Sequence, residues 1–417
     1  MSMLIIDGPA KLRGTVKVGG SKNAVLPILA ASLLATEPVT LTNVPAIRDV
    51  EVMLQILEHF GMKVTGRSGT VRLDPTSIHP ARVPDELARS LRASILVLGS
   101  ALARFGEYRS IHPGGDVIGK RSLAAHFKAL RLLGATVIFD HARYHVRAKR
   151  LRGVTFFLDE PSVTATENVM MAAVGASGTT VIKNAASELH VRDLAHFLNK
   201  LGADIDGAGT NKIIINGTGQ LTGGSYRIRA DEIEAGTLAI AAAITGGRVE
   251  LTGVDPDHFG LIWPRLQDAG VNLQVRDDSV LIAGPHKLRG IKLKTETWPG
   301  FPTDLQPPFT VLMTQANGTS LIHDHLYEGR FFYIDKLISM GADIMMADPH
   351  RVIVVGPTSL IGKELESPDI RAGITMVVAA LVAKGRTVID HAELIDRGYE
   401  RIDSRLRKLG VKIRRVE

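Results

Sequence analysis

The chain has 417 residues, 45% of them hydrophobic and 22% charged, which suits a globular protein of at least two domains. It contains no cysteine, so disulfides, thiolate metal sites and a thiol nucleophile are excluded, and a reducing compartment fits. The net charge is +7, yet the basic residues are scattered and aromatics make up only 5%, so a nucleic-acid partner is weakly signalled and a small anionic substrate explains the excess at least as well.

In chain order, the N-terminus MSMLIIDGPAKLRG lacks the basic start, long apolar stretch and cleavage site of a signal peptide, and a cytoplasmic protein is expected. No run reaches the roughly 18 apolar residues a membrane helix needs. The stretch GGSKNAVLPILAASLLA, residues 19–35, predicts a helix with Pro27 in or near its first turn. The start of a helix favours an anion, and Lys22 would add a point charge; a capped helix with an exposed lysine is the plainer alternative. Arg92 opens an apolar helical run, LRASILVLGSALA. In SIHPGGDVIGKR, Gly114 and Gly115 make a turn, and Asp116 reads either as a turn carboxylate or as a proton donor beside an anion.

Further along, Asp304 stands among prolines in GFPTDLQPPF and reads as a helix cap or as a general base. His323 and His325, in HDH, are expected on one strand face, but no third ligand follows at a diagnostic spacing and no metal site is expected. Arg330 in EGRFF, Arg371 in SPDIRAGI and Arg397 in IDRGYERID lie at apolar element ends. Arginines in such places suit either structural ion pairs or a clamp for carboxylate and phosphate.

These elements recur. A glycine followed by an alternating strand appears at Gly61, Gly134, Gly202, Gly270, Gly341 and Gly410, at intervals of 68 to 73 residues. Each suits the left-handed residue that ends a helix. A second glycine marker, as in SGTTVIKN and KGRTVIDH, follows Ala-rich runs apolar on every side, so each unit pairs one amphipathic helix with one interior helix. Six such α/β units imply two lobes of three units each, with a cleft between them.

Taken together, GGSKNA, LRAS, PGG-x-x-IG-x-R, FPTDLQ, EGRF, DIRAG and IDRGYERI resemble the UDP-N-acetylglucosamine enolpyruvyl transferase family over essentially the whole chain. The resemblance implies a two-lobed inside-out α/β barrel, the enolpyruvyl transferase fold, built from six repeats of about 70 residues. One lobe would hold residues 1–20 and 230–417, and the other residues 21–229. The implied reaction moves the enolpyruvyl group of phosphoenolpyruvate to the 3-hydroxyl of UDP-N-acetylglucosamine by addition and elimination. The partners are these two small molecules, with no cofactor, metal, nucleic acid or membrane. Rival acceptors include shikimate 3-phosphate, but the GSKS and GNAGT-type motifs of that synthase are missing; another nucleotide acceptor, or a non-catalytic binder of the same fold, stays open.

Carried over by the same resemblance, Asp304 would be the base and Asp116 the general acid on a closing loop hinged at Gly114 and Gly115. Lys22, Arg121 and Arg397 would surround the phosphate, and Arg330 and Arg371 the carboxylate, of phosphoenolpyruvate. Asn23, Arg92, Arg121, Ser122, Leu123, Ala124, Ala125, Ser162, Val163, Thr164 and Leu326 would bind the UDP-sugar. Asp116 stands where most members carry cysteine, which predicts resistance to the thiol-alkylating epoxide fosfomycin. A free Asp titrates near 3.9 against about 8.5 for a free cysteine, so Asp116 must be desolvated to donate near pH 7. Leu96, Glu160 and Thr164 depart from common tryptophan, lysine and glycine around the nucleotide.

Overall fold

The computed structural model describes residues 2–115, 119, 121–284 and 287–417. Asp116 therefore lies outside the described residues. The chain forms two compact units, one of Met1–Gly19 with Ala230–Glu417, the other of Gly20–Gly115 with Arg121–Arg229. Each has its own continuous hydrophobic core. No helix among the described residues is long and apolar enough to cross a membrane.

The repeat is well seen between residues 155 and 216. Strand Thr155–Phe157 leads into helix Val163–Val174, then into the parallel strand Thr179–Lys183. Helix Leu189–Lys200 follows, and a hairpin of Asp204–Asp206 with Lys212–Asn216 completes a four-stranded sheet. Five sheets of this order and one of three strands occur among the described residues. In the short sheet, which holds Glu107–Ile111, a lone parallel bridge between Arg82 and Arg109 marks where the fourth strand would lie.

Strands far apart in sequence close both units. Met3–Gly8 sits between Gly385–Asp390 and Lys412–Val416, so the first strand completes the last repeat. Arg13–Lys17 runs parallel to Arg248–Thr252, and Gly224–Arg227 runs parallel to Val39–Val44.

All six glycines that set the repeat are left-handed, with φ between 85° and 106°. A Cβ there clashes with the following carbonyl, which is why glycine ends these helices. The helices before them are amphipathic, whereas the second helix of each repeat is interior: every residue of Glu232–Ile244 and of Ile370–Ala380 is buried. The helix Lys22–Ala31 begins at Lys22, so Pro27 falls in its second turn rather than its first. Pro27 has no N–H, and the Asn23 carbonyl is released from helical pairing.

Interior helices without water on any side must pack closely. The Gly99 N–H donates to Asn168 Oδ1 at 2.7 Å, and a Cβ on Gly99 would lie 2.1 Å from the Asn168 carbonyl oxygen. Gly99→Ala is therefore expected to cost about 1–3 kcal/mol through forced separation of the two helices. A lower urea midpoint of the unit containing it would show this, and an unchanged midpoint would refute the packing argument.

Candidate functional site

In the unit holding residues 230–417, Asp304 lies in the turn Thr303–Leu305 before helix Gln306–Thr314. It caps neither element, since neither has a side-chain cap bond. Instead Arg330 Nη2 donates to Asp304 Oδ1 at 2.9 Å and Arg371 Nη2 donates to Oδ2 at 2.6 Å. The two arginine side chains are 4% and 9% exposed, against 26% for Asp304, so the carboxylate is the group that reaches solvent.

Each guanidinium is fixed from behind. Arg330 Nε donates to the Thr303 hydroxyl at 2.9 Å, which donates to Asp324 Oδ2 at 2.6 Å. The other Asp324 oxygen accepts from the Leu326 N–H at 3.1 Å, which sets that residue beside the cluster. Arg330 also lies over the Tyr327 ring, 5.3 Å from its centroid. Arg371 follows the helix cap Asp369, whose carboxylate accepts the Arg371 N–H at 2.7 Å. Its Nη1 donates to the Tyr399 hydroxyl at 3.1 Å. That leaves the phenol to donate to Thr237, which donates in turn to the Ile233 carbonyl. Burial pushes the Tyr399 pKa up, so the phenol keeps its proton. Burial opposes charge on Arg371, but Asp304, Tyr399 and Asp231 together outweigh it and hold the guanidinium pKa above its ordinary value. Arg397 ends the turn Ala392–Arg397, two residues before Tyr399.

In the unit of residues 20–229, Ser21 caps helix Lys22–Ala31, accepting the Ala24 N–H at 3.4 Å. Lys22 is not an exposed lysine. Its side chain is 12% exposed and its Nζ lies 2.8 Å from Asp49 Oδ2, itself buried. Asn23 is half-buried beside it. Arg92 begins the turn Arg92–Leu96, which packs against the Lys22 helix and against helix Val163–Val174. Its guanidinium donates to the Pro113 carbonyl at 3.4 Å and to the Arg121 carbonyl. One side chain thus ties together the segments on both sides of residues 116–118. A Cβ on Gly114 would lie 1.9 Å from the Arg89 carbonyl oxygen, and Gly115, at φ 107°, presses on Arg92. Close approach alone requires glycine at both positions.

Ser122 Oγ accepts the Ala124 N–H at 3.0 Å, starting helix Ala124–Leu132 after Leu123, with Ala125 buried. Ser162 caps helix Val163–Val174 by accepting the Ala165 N–H. The two helices meet where His126 Nε2 lies 3.0 Å from Thr164 Oγ1. Leu96 is in the core and Glu160 is exposed. His325 lies past the end of strand Gly318–His323, so the two histidines do not share a strand face, although their rings are 5.8 Å apart.

Sequence reasoning missed Asp49, Thr303, Asp324, Tyr327 and Tyr399. Thr303, Asp324 and Tyr399 had a signal, because they fall inside FPTDLQ, HDH and IDRGYERID, whereas Asp49 and Tyr327 had none.

His126 also yields a measurable consequence. Burial, then the Arg92 charge, pushes its pKa down to about 3. The unfolded chain takes up that proton near pH 6.5 and the folded chain does not, so stability falls as the pH drops from 6.5 towards 3. The slope from this one group is about 1.4 kcal/mol per pH unit. His126→Gln should lose stability less steeply over that range in denaturant titrations, and equal slopes would contradict a neutral His126.

The family model for EPSP synthase (3-phosphoshikimate 1-carboxyvinyltransferase) matches residues 6–406. A UDP-N-acetylglucosamine 1-carboxyvinyltransferase of Borreliella burgdorferi is 43% identical, covering 100% of both chains. The protein of that name from Solibacter usitatus is 44% identical at the same coverage. Among solved structures, the enolpyruvyl transferase NikO from Streptomyces tendae shares the fold at a TM-score of 0.90 and 24% identity, covering 100% of this chain and 99% of its own. An EPSP synthase from Acinetobacter baumannii does so at 0.76 and 21%, covering all of both. With identity above two-fifths along its whole length, the chain belongs to the UDP-N-acetylglucosamine 1-carboxyvinyltransferase family.

Proposed function

We propose that this protein transfers the enolpyruvyl group of phosphoenolpyruvate to the 3-hydroxyl of UDP-N-acetylglucosamine, releasing phosphate, as the committed step of peptidoglycan precursor synthesis. The observation that carries the reading is one carboxylate, Asp304, between two buried guanidiniums, in a chain with full-length relatives of that name. Both substrates are small cytoplasmic anions, which supports a cytoplasmic enzyme with no nucleic-acid or membrane partner.

The chemistry has two halves. A proton adds to the methylene carbon of phosphoenolpyruvate, the sugar hydroxyl oxygen adds to the neighbouring carbon, and the hydroxyl proton passes to a base. In the second half the methyl group gives back a proton and the carbon–oxygen bond to phosphate breaks. Such a path needs an acid, a base and cations on both anionic groups. We assign the base to Asp304 and the acid to Asp116, with Lys22, Arg121 and Arg397 on the phosphate and Arg330 and Arg371 on the carboxylate. Asn23, Arg92, Arg121 to Ala125, Ser162 to Thr164 and Leu326 serve the UDP-sugar.

This assignment has a consequence for Asp304. Both of its oxygens already accept from the arginines meant for the substrate. A bidentate substrate carboxylate competes for the same N–H groups and frees Asp304 to accept the hydroxyl proton. The base is therefore engaged only when phosphoenolpyruvate is bound, which protects against idle proton transfer.

Asp304→Asn should lower UDP-N-acetylglucosamine-dependent phosphate release by roughly 10²–10⁴-fold, while UDP-sugar binding by calorimetry stays close to the parent's. Near-normal release would remove the base assignment, and release that ignores the nucleotide would remove the acceptor. The parent should form no covalent adduct with fosfomycin by mass spectrometry and stay active in its presence, whereas Asp116→Cys should be both labelled and inhibited. An adduct on the parent would contradict the role given to Asp116.

A further inference from the structure

The unit of residues 230–417 contains a second polar feature, separate from every residue of the Asp304 cluster. An open cavity of about 520 Å³ is lined by Lys11, Arg13, Thr15, Arg248, Glu250 and Arg276, with four glycines and Leu281 completing its wall. Arg13 and Arg248 lie directly opposite each other on two parallel strands. Both side chains are exposed, so like charges in register repel modestly and more at low salt, and an anion between them relieves that repulsion.

Among the described residues, nothing supplies that charge. Glu250 is the one carboxylate in the lining, and it is committed to Arg276 at 3.0 Å. Among the described residues, Lys11, Arg13 and Arg248 have no ion-pair partner, although Arg386 on another strand of this unit is paired, its Nε 2.8 Å from Asp7. The lining contains four cations against one carboxylate. It has no aromatic ring on which a base would stack, and the Thr15 hydroxyl is its one neutral side-chain donor.

We propose that this cavity binds a small polyanion carrying two or more phosphate groups, with Arg13 and Arg248 gripping one phosphate and Lys11 and Thr15 reaching the next. Guanidiniums suit the first role through paired N–H donors, and an ammonium suits the second as a point charge. The site is independent of the reaction proposed above, and no group in it takes part in that chemistry.

Inorganic tripolyphosphate is the probe, titrated calorimetrically at low ionic strength into the full-length protein and into Arg13→Gln/Arg248→Gln. The parent should bind it, and the double variant should bind it at least about tenfold more weakly, since two charge-assisted contacts are lost. Equal affinity in both proteins would place tripolyphosphate elsewhere, the substrate site included, and would overturn the proposal, as would no binding to the parent. The single variant Arg13→Gln gives a separate reading without ligand. Relief of the repulsion should raise its thermal midpoint at low salt, with the gain shrinking as salt is added. An unchanged or lower midpoint would show that the two arginines do not repel each other.

Discussion

One carboxylate held by two buried guanidiniums is the constraint on which the candidate site depends. Removing a guanidinium from water is costly unless an anion and further hydrogen bonds compensate it. Here the compensation is shared: Asp304 faces both arginines, while Thr303 and Asp324 hold Arg330 and Tyr399 and Thr237 hold Arg371. These groups come from segments between residues 237 and 399, so the cluster exists only when three repeats have folded against one another. The same economy explains the chemistry. In the proposed reaction, a pair of cations held rigidly by their own unit would meet an incoming carboxylate without reorganising, and the group it displaced would be the base assigned above.

The repeat explains why polar residues gather at these places. Among the described residues, six interior helices are largely apolar in their bodies and polar at their first turns. In one unit those turns carry Lys22, Arg92 and Ser162 to Thr164; in the other they carry Asp231 to Glu234, Asp304 and Arg371. A helix start has unpaired N–H groups and the positive end of its dipole, and so suits anions and their ligands. A helix buried on every side has little room elsewhere for a charge, and burial pushes the pKa of Glu167, inside helix Val163–Val174, well up. Packing and polar chemistry therefore divide each helix between them: its body fixes the core, and its first turn carries the polar groups.

Much of this was legible in the chain because glycine spacing reports backbone conformation directly. A left-handed residue after each amphipathic helix needs glycine wherever it falls, so six glycines set the repeat before any contact is known. The lost fourth strand near Arg82 left no such mark, since a missing ladder changes no single residue type. The arginines at apolar element ends were visible, and their roles came from the family resemblance. Their partners were not. Asp49, Thr303 and Asp324 are common surface residue types, and only folding shows that Lys22 meets Asp49 across 27 positions or that Thr303 relays Arg330 to Asp324. The alternative readings of Asp304 were separated by geometry, because its turn has no capping bond and its oxygens face arginines.

The most direct test of this account is competition between Asp304 and a substrate carboxylate for Arg330 and Arg371. A phosphorylated 2-hydroxy acid, which lacks the reactive double bond, would be titrated into the parent and into Asp304→Asn, each saturated with UDP-N-acetylglucosamine. Because a neutral amide competes less well than a carboxylate for the guanidiniums, the variant should bind the analogue more tightly, by about tenfold. Weaker binding to the variant would mean that Asp304 helps to hold the substrate rather than standing in its place, and would contradict the account.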